Sequence, residues 1–213
     1  MTFYIDLDGP VLDVSSRHYA VYKTIISSFK QRPLGKKQYW EYKRDKESLD
    51  IVLSASGSGI PEPVFRKRWD ELIEDKRNLG LDRVLPGVKK ALTGLKKKKI
   101  RLVLATLRRS KKNMLWQLEE QGISPLFDKI LSSDGVLPDG LKAAMISADL
   151  PDGENACIIG DTEVDIAAAK QLGIMSIAVL CGIRSKRELL KLCPDYIVND
   201  LPGAITIAER MLC

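Results

Sequence analysis

The 213 residues suffice for one full-sized domain, or for one domain carrying a smaller insertion. With 45% hydrophobic and 29% charged residues the chain reads as a folded globular protein, and no apolar run approaches the roughly 20 residues that a membrane helix needs. A net charge of +6 suits a small anionic ligand or a solvated basic surface; with aromatics at 6% and no nucleic-acid-binding motif, nucleic acid is not an expected partner.

The first element is a strand. Phe3-Tyr4-Ile5 is an apolar run ending in Asp6-Leu7-Asp8-Gly9, and because the chain enters it directly after Met1 and Thr2, no signal peptide is expected and a cytoplasmic location is. Residues 15–83 differ in texture: they are helix-prone and highly charged, with Tyr39, Trp40 and Tyr42 close together and turns at Arg32-Pro33, Leu34-Gly35 and Ser56 to Gly59. The pattern predicts a small all-helical domain inserted between the first two sheet strands. From about residue 84 short apolar runs alternate with amphipathic stretches. Strands are expected at Arg101–Ala105, Lys129–Leu131, Ala156–Ile159 and Met175–Leu180. Helices are expected from Ser110, an N-cap, to Gly122, from Glu163 to Leu172 before Gly173, and over Ser185–Leu192. Short strands alternating with helices predict an α/β fold, a parallel sheet with helices on both faces. The predicted organisation is therefore a core domain of residues 1–14 and 84–213 and a helical domain of residues 15–83. Cys157, Cys181, Cys193 and Cys213 form no C-x-x-C pair and are expected to be free thiols.

In an open parallel sheet ligands bind beyond the carboxyl ends of the strands. The first strand brings Asp6 and Asp8 to that edge, with Gly9 allowing a sharp turn. A calcium loop is excluded, because Arg17 occupies the twelfth position, where a glutamate is required. The second strand ends at Thr106 and the fourth at Gly160-Asp161, with Asp165 one helical turn further on; Lys142 opens an Ala-rich helix between them. Several strand ends thus offer carboxylates, a hydroxyl and an ammonium to one place.

The residues Asp6 to Asp13, Thr106, Lys142 and Gly160 to Asp165 resemble, in order and spacing, the four motifs of the haloacid dehalogenase (HAD) superfamily. Leu85-Pro86-Gly87-Val88 is similar to the family as well, and the helical insertion matches the cap of phosphoglycolate phosphatase-like and β-phosphoglucomutase-like members. The resemblance implies a Rossmann-like sheet, an inserted cap and a Mg²⁺-dependent phosphatase acting on a small anionic phosphate ester. It assigns Asp6 as nucleophile and Asp8 as acid and base. Mg²⁺ would be held by Asp6, the Asp8 backbone carbonyl and Asp161. Asp165 would orient Lys142 or a metal-bound water, and Thr106 and Lys142 would hold the phosphoryl oxygens.

Three positions depart from the pattern: Pro10, Leu107 and Leu137-Pro138-Asp139. The motif lysine is assigned to Lys142, with Lys129 as the alternative. His18 matches a histidine that faces the cap in relatives, which implies proton transfer or cap coupling; a local hinge contact is the plainer alternative. Lys43 and Arg44 are candidate contacts to the remainder of the substrate, along with the Ser54–Gly59 loop; against this stands an ordinary solvated helix face. Asp8 argues against a dehalogenase. A phosphomutase shares the core motifs, and a non-catalytic binding protein of the same fold would be expected to lack one of the carboxylates.

Overall fold

The computed structural model describes residues 1–133 and 140–212. In chain order the chain forms β1 (Thr2–Ile5), β2 (Leu12–Asp13), α1 (Ser15–Ser28), α2 (Lys36–Arg44), α3 (Leu49–Ala55), α4 (Glu62–Leu72), α5 (Lys76–Leu79) and β3 (Arg83–Val84). It continues through α6 (Val88–Lys97), β4 (Arg101–Thr106), α7 (Lys111–Glu120), β5 (Lys129–Ser132), α8 (Leu141–Ser147), β6 (Ala156–Gly160) and α9 (Glu163–Leu172). It ends with β7 (Met175–Val179), α10 (Lys186–Lys191), β8 (Tyr196–Val198) and α11 (Leu201–Leu212).

Six strands pair in the order β5-β4-β1-β6-β7-β8, all parallel. β1 lies between β4 and β6, with Tyr4 level with Val103 on one side and Ile158 on the other. Successive side chains of a strand face opposite ways, so each strand feeds two cores. Phe3, Ile5, Leu102, Leu104, Cys157 and Ile159 pack on one face against Leu92 of α6, Met114 of α7 and Ala204 of α11. Tyr4, Val103, Ala105 and Ile158 pack on the other against Ile146 of α8 and Ala169 of α9. Burial on both faces explains why these strands read as unbroken apolar runs.

The expected strands and helices are present, with ends moved by a residue or two. The helix predicted from Ser110 is capped as expected: the Ser110 hydroxyl accepts a hydrogen bond from the Asn113 N–H. The chain beyond Leu192, for which no element was predicted, adds edge strand β8 and helix α11. The two-residue strands β2 and β3 pair antiparallel, Leu12 with Val84 and Asp13 with Arg83, and so bring together the two places where the chain leaves and rejoins the sheet region.

Between them, residues 15–82 form no strand among the described residues. Helices α1 to α4 gather around a cluster of their own, including Val21, Tyr22, Ile25, Tyr39, Leu53, Phe65 and, just after α4, Ile73. No helix among the described residues is long and apolar enough to cross a membrane.

Leu104 is fully buried at the middle of β4. Leu104→Ala is expected to lower unfolding free energy by about 2–5 kcal/mol in urea titration, since the packed sheet cannot close over the lost volume. A loss well under that range would mean the β4 layer is loosely packed.

Candidate active site

The carboxyl ends of β1, β4 and β6 converge at one edge. Asp6, Thr106 and Asp161 stand there, all buried, and Lys142 reaches the same place from the first turn of α8. Asp6, Thr106 and Lys142 border a cavity of about 480 Å³ together with Asp8, Arg17, His18 and Arg108, which lies between the sheet edge and the helical unit.

Lys142 organises the first half of the site. Its Nζ donates to Asp6 Oδ1 at 2.8 Å and also to Asp165 Oδ1. The second Asp165 oxygen accepts from the Asp161 N–H at 3.2 Å, the Thr162 N–H at 3.0 Å and the Thr162 hydroxyl at 2.8 Å. Both oxygens of Asp165 are therefore occupied, and the residue caps α9 while holding Lys142. Burial alone would strip the lysine of its proton; the Asp165 and Asp6 charges reverse this and raise its pKa. Lys129 lies elsewhere. It begins β5, at the opposite end of that strand, and pairs with Asp149 at 2.7 Å.

Asp161 receives the Ile183 N–H on Oδ2, while its buried Oδ1 has no partner among the described residues. Gly9 closes over it with φ +105°, and a Cβ there would lie 2.3 Å from the Asp161 carboxyl carbon, so the turn admits no side chain. Ligand oxygens of Asp6, Asp161 and Asp165 all lie within 4.8 Å of one another. An orphaned buried oxygen within a set of hard oxygen donors fits a hard divalent cation such as Mg²⁺. Because Asp165 is fully engaged, Asp6 and Asp161 are the carboxylates with capacity to bind one, and the expectation for Asp165 narrows to orienting Lys142. Burial pushes the Asp6 carboxyl up to about 7, with Lys142 acting against the rise and Asp165 and Asp8 adding to it. Burial and then the Asp6 and Asp165 charges raise Asp161 well above the ordinary carboxylate value.

Asp8 has different surroundings. Arg108 grips it with two hydrogen bonds, Nε to Oδ2 at 2.9 Å and Nη2 to Oδ1 at 2.6 Å, and Arg17 Nη2 adds a third at 2.7 Å. Burial would raise the Asp8 pKa, but Arg108 and then Arg17 hold it well below the ordinary value. Behind the pair lies the fully buried Asp82, which accepts from Arg17 Nε at 3.1 Å, Arg108 Nη2 at 3.4 Å and Gln117 Nε2 at 2.8 Å. Arg17 also donates to the Ile73 carbonyl at 3.1 Å.

Arg17, Arg108 and Asp82 were not singled out from the sequence. Arg108 had a legible signal, since it follows Thr106 in a loop at the carboxyl edge of the sheet. Arg17 had a weaker one: it precedes His18 in the first turn of the helix after the nucleophile motif. Asp82 had none, being one acid among many in a charged stretch.

The remaining candidates separate. His18 borders the cavity, packed edge-on against Trp40 and Trp69 with ring centroids 5.9 and 5.4 Å away; its buried Nδ1 has no partner among the described residues. Burial, then the nearby Lys43 and Arg17 charges, push its pKa well below the ordinary value, so it is neutral. Lys43 does not border this cavity; it lies within the helical unit with Nζ 5.3 Å from the Trp69 ring centre. Arg44 departs from its expectation as a substrate contact. Its Nη1 donates to the Gly182 carbonyl at 3.0 Å and its Nη2 to the Leu180 carbonyl at 2.8 Å, so it ties α2 to the loop after β7. The same seam carries Lys46–Glu163 at 2.9 Å and the Ser185 N–H to the Arg44 carbonyl at 2.9 Å. Leu107 borders the cavity with an apolar side chain, as its sequence suggested. Leu137-Pro138-Asp139 lies outside the described residues.

Because burial raises both Asp6 and Asp161, a cation must displace protons to bind them. Asp6, at about 7, is mainly ionised at pH 8 and mainly protonated at pH 6. Mg²⁺ affinity is therefore expected to weaken by about tenfold or more between those pH values, as measured by isothermal titration. Equal affinity at both would remove Asp6 from the cation site.

Comparison with known proteins places the chain. The description "haloacid dehalogenase-like hydrolase" matches residues 1–173. A phosphoglycolate phosphatase of Synechococcus elongatus is 25% identical over 96% of this chain and 97% of its own. "Probable phosphatase IndB" of Dickeya dadantii is 30% identical over 97% of this chain and 93% of its own. A crystal structure titled a predicted phosphatase, from Clostridium acetobutylicum, superposes with a TM-score of 0.77 at 23% identity, covering 99% of this chain and 98% of that one. With its motif residues gathered at the sheet edge that the family's fold requires, the chain belongs to the haloacid dehalogenase-like hydrolases, as an enzyme of the phosphatase type.

Proposed function

We propose that the protein hydrolyses a small phosphate monoester with Mg²⁺ bound, through an aspartyl-phosphate formed on Asp6. The observation that carries this reading is the placement of Lys142, which bridges Asp6 and Asp165 beside the unpartnered oxygen of Asp161. Asp6, Asp161 and the Asp8 backbone carbonyl would hold the cation. When bound, it screens the charge of the nucleophile from that of the phosphate.

The chain's own groups account for the remaining steps. The second Asp6 oxygen is free to attack phosphorus while Lys142 fixes the first, which spares the reaction an unfavourable search for orientation. Lys142 stays charged because of its two acidic partners, so it can offer N–H groups to the phosphoryl oxygens, and Thr106 adds a hydroxyl at the end of β4. Attack splits the P–O ester bond; the alcohol oxygen leaves and needs a proton. Asp8 is the group poised near it. In the second step a water attacks phosphorus, Asp8 takes its proton, the P–O bond to Asp6 breaks and inorganic phosphate departs.

The two arginines bear on which half of this work Asp8 does readily. Gripped by Arg108 and Arg17, it is ionised and ready to accept a proton from water. To donate one to a leaving alkoxide it must first take up a proton from solvent, which requires the Arg108 contact to weaken. Esters of acidic alcohols, such as aryl phosphates, need that proton least.

Two substitutions and a substrate survey test the mechanism. Asp6→Asn removes the nucleophile, and turnover of an aryl phosphate with Mg²⁺ should fall below detection while circular dichroism is unchanged. Asp8→Asn keeps the backbone carbonyl but removes the proton carrier, so kcat should drop by about 10²-fold or more, and more for alkyl than for aryl esters. Activity that persists in Asp6→Asn or in excess chelator would sink the reading. Survival of normal alkyl-ester turnover in Asp8→Asn would move the acid role to another group, with His18 the first to examine.

A further inference from the structure

A second cavity, of about 260 Å³, opens within the helical unit, separate from the catalytic carboxylates. Tyr39 and Phe65 form buried parts of its wall, with Val52 and the half-buried Trp69 beside them. Phe65 and Trp69 stack with ring centroids 6.0 Å apart and planes 22° apart, which leaves a flat apolar surface. Lys43 shares this wall.

Lys43 is unusually placed for a lysine. It is half-buried, its Nζ lies against the Trp69 face, and it forms no ion pair among the described residues. The acids that could neutralise it are engaged elsewhere: Glu163 with Arg184 and Lys46, Asp70 with Arg109, and Glu62 with Arg66. Glu47 stands exposed at the rim. Burial, with Arg184 the largest charge acting in the same sense, lowers its pKa to about 8. Glu163 acts on Lys43 in the opposite sense without pairing with it, and a partly desolvated ammonium in an aromatic wall, with no ion pair among the described residues, is incomplete until an anion meets it.

The cavity also abuts the active site. Trp69 stands between the two: one contact is with the Phe65 ring of this cavity, and another is with His18, which borders the catalytic cavity. Asp70 borders both cavities.

We propose that this cavity receives the alcohol portion of the substrate, and that this portion has a flat apolar body bearing a second anionic group, a carboxylate or a phosphate, which pairs with Lys43. The ester phosphate would lie at Asp6, the body against Phe65 and Trp69, and the far charge at Lys43. The assignment rests on the phosphatase reading above. Phosphate esters of two-carbon acids, whose carboxylate sits next to the ester carbon, are too short to use both cavities and should be poorer substrates.

A matched pair of esters tests this, 2-naphthyl phosphate and 6-carboxy-2-naphthyl phosphate, with Mg²⁺. The wild-type enzyme should favour the carboxylated ester in kcat/KM by about tenfold or more, the gain lying in KM. In Lys43→Met the ratio between the two esters should collapse to about one, and in Lys43→Arg, which keeps the charge, a preference should remain. Binding is measured separately with 2-naphthoate, which has no phosphate, by quenching of tryptophan fluorescence; Lys43→Met should weaken it by about tenfold. Thermal melts establish that each variant is folded. Absence of a preference in the wild type, or a preference that survives in Lys43→Met, overturns the proposal. If neither ester is turned over but 2-naphthoate binds in a Lys43-dependent way, the cavity assignment stands and the phosphatase reading falls. If phenyl phosphate is hydrolysed and 2-naphthoate does not bind, the cavity assignment falls and the phosphatase reading stands.

Discussion

Five carboxylates, Asp6, Asp8, Asp82, Asp161 and Asp165, are buried or nearly so around one sheet edge, and the arrangement of everything near them follows from the need to neutralise them. An uncompensated carboxylate in such a place costs several kcal/mol, so each must find a cation, a set of N–H donors or a proton. The described residues supply three buried cations. Lys142 serves Asp6 and Asp165, while Arg17 and Arg108 serve Asp8 and Asp82. Backbone N–H groups complete Asp165 and cover one oxygen of Asp161. The deficit that is left falls on Asp6 and Asp161, whose pKa values burial raises; burial raises Asp82 as well, to about 6, but that residue accepts from Arg17, Arg108 and Gln117. A polypeptide could remove that deficit with one more lysine. This one leaves it where a divalent cation would fit and would complete the charge balance.

The two arginines link that balance to the helical unit. Arg17 belongs to α1 and holds the Ile73 carbonyl as well as Asp82 and Asp8, so it joins the far end of the helical unit to the proton carrier. Arg108 approaches from the core and grips the same two carboxylates. Displacement of α1 relative to β4 would therefore change the charge around Asp8 directly. Asp6 would feel it much less, because Lys142 and Asp165 both belong to the core. Asp6 and Asp8, the proposed nucleophile and proton carrier, are two residues apart in sequence, yet they answer to different parts of the structure.

Most of the sheet, and the meeting of its strand-end residues at one edge, were legible in the sequence, for a definite reason. Strands buried on both faces leave unbroken apolar runs, and the residues that end them lie at a common edge, so Asp6, Thr106 and Asp161 could be brought together without knowing the packing. Strand β8 and the β2–β3 ribbon were not legible because two or three residues carry no measurable period. Arg17 and Asp82 were invisible for another reason. Each is an ordinary charge in a charged segment, and only the partner, 65 residues away, makes it a buried pair. Lys142 was already preferred to Lys129 in the sequence, and of the two it is Lys142 that the fold carries to the carboxyl edge, while Lys129 begins β5 at the other end and pairs with Asp149.

Arg44 shows how far residue type alone can mislead. An arginine beside a cap aromatic suggests an anion site, but the chain after β7 leaves the Leu180 and Gly182 carbonyls in need of donors, and a planar guanidinium can serve both at once. With Arg44 fixed toward the core, helix geometry decides the rest. Consecutive residues of a helix project about 100° apart, so its neighbour leaves the helix in another direction. Lys43 is accordingly delivered to the aromatic wall of the inner cavity, where it forms no ion pair among the described residues. The structural tie and the unsatisfied charge are thus one arrangement: the first residue holds the helical unit against the core, and in doing so presents the second to whatever the unit encloses.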